Sequence, residues 1–210
     1  MERGEARERL GGGLMELSTR LRLEDGGVVS LRSAKPGDGA TLCTLNQKIL
    51  GETSFHIREA NEYAADPDTE RRFIETMTRQ AGSLYLVVEA LKGPGGEPIQ
   101  AREAPKMLGL LLFQRERLRR LRHGGNLGIA VLKSEQRRGI GTALMDVFLD
   151  WCTGQPGLRR VKLEVFDTNR VALRLYESLG FSYEGVRRAE VRVDDAWVDL
   201  ILMAKSLEGE

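Results

Sequence analysis

Gly139-Ile140-Gly141, flanked by Arg137-Arg138 and by an apolar run with helical spacing, is the segment of this sequence best suited to hold an anion. Upstream, Leu127-Gly128-Ile129-Ala130-Val131-Leu132 reads as a strand, and Lys133 to Arg138 as the loop that leads into the helix. The first amides of a helix have no internal partner and carry partial positive charge. They form a ready site for phosphate. Glycine puts no side chain between a phosphate and those amides, and the two arginines add positive charge. The chemistry implied is a diphosphate cradle. It is not a P-loop, because no Gly-Lys-Ser/Thr follows, and the third glycine of the dinucleotide fingerprint is absent. Taken alone, the two glycines serve equally well for a tight turn and close helix packing.

The elements that must position this loop are legible from pattern. Leu21-Arg22-Leu23 alternates, Asp25-Gly26 offers a turn, and Val28 to Arg32 resumes as strand. Pro36-Gly37-Asp38 starts a helix that runs to Leu50. Asp66-Pro67-Asp68-Thr69 starts another, with Phe73 and Met77 on its apolar face. Ser83–Ala90 and Met107–Phe113 are strands separated by a Gly/Pro-rich loop. Residues 140–152 repeat apolar side chains at helical spacing. Val161–Val165 alternates, Arg170–Leu179 is a helix closed by Gly180, and two strands near 182–193 and 197–205 end the chain. The expected fold is α+β (mixed α/β), built on one sheet. Residues 1–20 read as a flexible N-terminal arm and 21–207 as a single domain.

Gln136-Arg137-Arg138-Gly139-Ile140-Gly141 resembles the Gln/Arg-x-x-Gly-x-Gly/Ala loop of the GNAT (GCN5-related N-acetyltransferase) superfamily. Asn169-Arg170-Val171-Ala172-Leu173-Arg174-Leu175-Tyr176-Glu177-Ser178-Leu179-Gly180-Phe181 resembles the second half of that signature, and it follows in the expected order. The resemblance implies the acyl-CoA N-acyltransferase fold, with a central mixed, splayed sheet flanked by helices. It implies acetyl transfer from acetyl-CoA, the cosubstrate, directly to an amine acceptor, with no covalent enzyme adduct and no metal. Backbone groups of Ile129 and Val131 then pair with the acetyl-pantetheine arm. Gln136, Arg137, Arg138, Gly139, Ile140, Gly141 and Thr142 hold the pyrophosphate. Asn169 contacts the pantetheine or orders the next helix, and Tyr176 protonates the departing thiolate.

A neutral amine must attack, so a base is needed. Many members of the family use a Glu on their fourth strand, where this chain has Asn126, which cannot act as a base. Glu164 is a candidate: an inward Glu at a splay in the sheet has a raised pKa. Glu52 is another, because Gly51 to Phe55 falls where related enzymes place the acceptor loop, and Phe55 is a candidate acceptor contact. His56 lies in the same stretch.

Composition narrows the alternatives. A net charge of +1 argues against nucleic acid or an anionic membrane as partner. Two distant cysteines, Cys43 and Cys152, form neither a disulfide framework nor a zinc site, so the expected compartment is the cytoplasm. The N-terminus has no signal-like apolar core, and no window is long enough to span a membrane. Trp151 and Trp197 are candidates for a subunit contact in a homodimer, since aromatic residues favour interfaces. The arginine run 115–122 is a candidate for acidic partners or for the adenosine 3′-phosphate, or is a solvated hairpin end. Two rivals to the enzyme are a non-catalytic acyl-CoA-binding sensor and a phosphate-binding protein that uses the loop alone.

Overall fold

The structure, a computed structural model, describes residues 17–64, 66–99 and 106–207 together with the backbone of Arg3–Gly4. Along the chain run β1 (Arg3–Gly4), β2 (Ser18–Arg22), β3 (Val28–Ser33), α1 (Gly39–Glu52), α2 (Pro67–Arg79), β4 (Leu84–Lys92) and β5 (Met107–Arg115). Then come β6 (Gly124–Val131), α3 (Ile140–Thr153), β7 (Arg160–Phe166), α4 (Arg170–Ser178), β8 (Ser182–Val193) and β9 (Ala196–Ser206). The strands form one sheet in the order β1-β2-β3-β4-β5-β6-β7-β9-β8. All neighbours are antiparallel except β6 and β7. β2 begins at Ser18, inside the stretch read as an arm. Most of the rest of that stretch lies outside the described residues.

The central strand β4 explains why its sequence is almost continuously apolar. Leu84, Leu86 and Val88 enter one apolar cluster, and Tyr85 and Val87 enter another. Period-two alternation sends successive side chains to opposite faces, so a strand covered on both faces needs apolar residues at both phases. The first cluster is closed by α3 and α4, through residues such as Leu144, Phe148 and Leu173. The second is closed by α1 and α2, through Leu42, Ile49, Ile74 and Met77.

Trp151 belongs to the first cluster. It is buried, stacks on Phe148 and meets Phe113 edge-on, so it is a core residue and not a subunit contact. Trp197 is 66% exposed. Asp66 caps α2, accepting from the amides of Asp68 at 3.2 Å and Thr69 at 3.0 Å, which is why the chain can enter a helix directly at Pro67. Gly180, at φ +81°, closes the C-terminal end of α4 as the sequence predicts. Among the described residues, no helix is long and apolar enough to cross a membrane, and no cluster of His, Cys, Asp or Glu could hold a metal ion.

Candidate active site

β6 is paired along its whole length on one side only. Opposite β5 it runs in register from Gly125 to Val131. Opposite β7 the pairing stops at Asn126 and Lys162, after which the two parallel strands part. Gly124 O accepts from Glu116 N at 2.9 Å, and Leu132 N donates to Leu108 O at 2.9 Å, so the even-numbered backbone groups serve β5. By alternation the N–H and C=O of Ile129 and Val131 face the wedge. Val131 O receives the Gln136 side-chain amide at 3.2 Å. An extended ligand can add to this edge as a strand does, and an N–H there can stabilise charge developing on a carbonyl oxygen.

The loop after β6 turns twice through the left-handed region, at Arg137 (φ 60°) and Gly139 (φ 81°). Gly139 then stands at the N-cap of α3 with no side chain to cap it, and the helix's first backbone bond runs from Ala143 N to Gly139 O at 2.9 Å. The amides of Ile140, Gly141 and Thr142 find no acceptor among the described residues. α2 and α4 are closed by Asp66 and Asn169, so α3 is left open where an anion would bind. A Cβ on Gly139 would meet nothing within 4 Å; the glycine is required by its φ. Gly139→Ala is expected to cost roughly 1–2 kcal/mol of stability and to weaken CoA binding several-fold, checked by thermal melts and by calorimetric titration of CoA.

Gln136 and Arg137 are exposed beside this opening, whereas Arg138 is not a free anion ligand. Its guanidinium pairs with Asp25 at 2.5 Å and with the buried Glu135, which also holds Lys106 at 2.9 Å. Burial works against the Glu135 charge, yet Lys106 and Arg138 keep its pKa below the usual carboxylate range. Asp25 sits in the β2–β3 turn, so Arg138 braces the loop against the neighbouring hairpin. The brace fixes the path of Arg137 and Gly139. Asp25→Asn is therefore expected to raise the KM for acetyl-CoA about three- to tenfold with little change in kcat, measured by initial-rate kinetics at saturating acceptor.

At the start of α4 the Asn169 side chain accepts from Ala172 N at 3.2 Å, so it orders the helix. Tyr176 follows two turns on, buried, with its ring 5.7 Å from that of Phe181. Burial pushes its pKa up to about 12. Just before α4, Asp167 Oδ1 is buried with no hydrogen-bond partner among the described residues. A bound donor would satisfy it. No local pattern marks this residue, since a lone Asp ahead of a helix reads as turn chemistry.

Glu164 lies on β7, two residues past the last pair with β6. Its side chain is 41% exposed and pairs with Arg187 of β8 at 2.9 Å. The inward, desolvated carboxyl expected from the sequence is not found, because this phase of β7 faces away from the α3–α4 core. Beside it, Glu116 accepts from Asn126 at 3.2 Å and Lys162 at 3.0 Å. The Lys162 hydrogen bond holds the Glu116 carboxyl below its ordinary range. Asn126 thus buttresses a charge pair at the floor of the wedge. Across β8 a bulge puts Ala189 at φ 50°, held by Asp199, which accepts from Ala189 N at 2.8 Å.

Two acceptor-loop candidates are placed differently. Glu52 ends α1 and accepts from Lys133 N at 2.8 Å, tying that helix to the turn after β6. One carboxylate oxygen is thereby committed to the backbone. Phe55 is 44% exposed in the α1–α2 connection, and burial lowers the pKa of the neighbouring His56. The arginine run lies at the N-terminal end of β6, roughly 23 Å along the strand from Val131. It is too far from the α3 opening to serve an adenosine phosphate.

The model of the acetyltransferase (GNAT) family matches residues 55–181, more than half of the chain. The L-amino acid N-acetyltransferase AaaT of Escherichia coli is 28% identical, over 53% of this chain and 69% of that protein. The ribosomal protein bS18-alanine N-acetyltransferase of Escherichia coli is 40% identical over 36% of this chain, which spans about half (51%) of that enzyme's length. A GNAT acetyltransferase from Streptococcus pneumoniae superposes with a TM-score of 0.73 at 23% identity, covering 85% of this chain and 98% of that one. YncA of Salmonella typhimurium, solved with acetyl-CoA, gives a TM-score of 0.68 at 18% identity, covering 87% and 95%. The matched segment holds the opened strand, the uncapped helix and the Asn169–Phe181 helix together, and this chain belongs to the GNAT family of acetyltransferases.

Proposed function

We propose that this N-acetyltransferase moves the acetyl group of acetyl-CoA to an α-amine, of a free amino acid or of a polypeptide N-terminus, with Glu164 as base and Tyr176 at the leaving sulfur. The observation that carries this reading is the position of Glu164. It stands two residues beyond the last β6–β7 pair, where the two strands part, and Arg187 lies 2.9 Å from its Oε1. Acetyl-CoA is the cosubstrate and fits what the chain offers: an uncapped helix for its pyrophosphate, an open strand edge for its amide-bearing arm and the orphaned Asp167 Oδ1 for a donor. When bound it supplies an activated acyl group.

The chain's residues do the rest. Ile129 and Val131 align the arm as an added strand, and an N–H at the wedge polarises the thioester carbonyl. Glu164 takes the proton of the attacking amine as the C–N bond forms. Tyr176 donates its O–H to the sulfur as the C–S bond breaks. The two named relatives act on L-amino acids and on a ribosomal-protein alanine, which supports an α-amine acceptor. The free thiols Cys43 and Cys152, both buried, suit a reducing cytoplasm.

The test is thiol release from acetyl-CoA with free L-amino acids, peptides with free N-termini, and N-blocked peptides carrying a lysine. Turnover confined to the first two groups is expected. Turnover on the lysine peptides alone would replace the α-amine by a side-chain amine, and binding of acetyl-CoA without any turnover would favour the sensor.

A further inference from the structure

The β5–β6 connection is an ordered display of arginines. Leu121 N and Arg122 N both donate to Leu118 O, at 2.8 and 2.9 Å, and Gly124 N donates to Leu121 O at 2.9 Å. Arg115 clamps this helical turn by donating to Arg122 O at 2.7 Å. Arg117 reaches Gln80 at the end of α2 and keeps the turn on the α1–α2 face of the sheet. Arg119, Arg120 and Arg122 are exposed and have no carboxylate partner among the described residues. The one acid of the turn, Glu116, is already held by Lys162 and Asn126. Leu118 and Leu121, exposed at 68% and 45%, stand one helical turn apart between the arginines.

This turn is continuous with the floor of the wedge through Glu116 and Asn126. From Ile129 to Gly124 the strand covers roughly 17 Å, about five residues of extended polypeptide. We propose that the 117–122 turn docks acidic residues that follow the acceptor amine in a polypeptide substrate; this rests on the α-amine reading above. Guanidinium groups bind carboxylates in a bidentate fork, and the two leucines suit apolar side chains between those carboxylates. Nucleic acid is the poorer fit. The turn has no aromatic ring on which a base could stack, and a net charge of +1 gives no long-range attraction for a polyanion.

The experiment is fluorescence anisotropy on the full chain. One probe is an N-acetylated, unreactive peptide of roughly twelve residues with Asp or Glu at about positions five to eight. The other is its Asn/Gln counterpart. The acidic peptide is expected to bind about tenfold more tightly, with the difference shrinking as salt is added. Arg119→Glu/Arg120→Glu should abolish the difference and leave turnover of a free amino acid unchanged, which also reports that the variant is folded. Equal binding of the two peptides, a difference that survives in the variant, or tighter binding of a short single-stranded RNA would overturn the proposal. The probes are blocked, so a wrong acceptor amine would show separately, as absent turnover in the thiol-release panel.

Discussion

Glu164→Gln is expected to lower kcat by about 10²-fold or more, with the KM for acetyl-CoA changed less than about twofold. Gln keeps the size and hydrogen-bonding reach of the side chain but cannot accept a proton. Two neighbours among the described residues cannot replace it: Asn126 is an amide, and Glu116 is held charged between Asn126 and Lys162. The proposed donor groove is formed by β6, α3 and α4, whereas the Glu164 side chain pairs with Arg187 of β8, so binding of the cosubstrate should survive. Stability should change by less than about 1 kcal/mol, because the pair with Arg187 lies in solvent. Rate measurements with calorimetric binding of acetyl-CoA separate these effects. An unchanged kcat would move the base to solvent and remove Glu164 from the mechanism.

Tyr176→Phe is expected to reduce kcat about 10- to 100-fold, the range for a charge-assisted hydrogen bond made only as the sulfur departs. With a pKa near 12 the phenol keeps its proton throughout the neutral range. It is a weaker acid than an ordinary thiol at about 8.5, so it stabilises the departing sulfur mainly by donating a hydrogen bond. Two consequences can be measured. The variant keeps its ring packed against Phe181, so its melting temperature should fall little. The wild-type rate should show no loss between about pH 7 and 9 through Tyr176, because deprotonation lies above that window. A variant with full turnover would leave Tyr176 as a core residue only.

The order of elements was legible because each one carried its own local signal. Asp66 announced a cap, Gly180 a left-handed ending, and the apolar phases of β4 and α3 their burial. The α3 opening was legible for the same reason, since Gly139 and the helix it starts are contiguous. What the sequence could not carry was pairing between distant segments. Arg138 reads as a phosphate ligand until Asp25, more than a hundred positions earlier, is seen to hold it. Glu164 reads as inward until β8 supplies Arg187. Glu52 reads as an acceptor contact until the turn after β6 delivers Lys133 N to it. Asp167 became visible only as an unmet hydrogen bond.

The sheet keeps its two large apolar clusters apart, one under α3 and α4 and the other under α1 and α2, with no residue in common. This gives the molecule two faces that can change at different rates. On the proposed assignment, the half that grips the donor is tied to one chemical partner, while the loops on the opposite face can be rebuilt without disturbing the packing behind the donor groove. A new acceptor can therefore be acquired by altering one side of a single sheet.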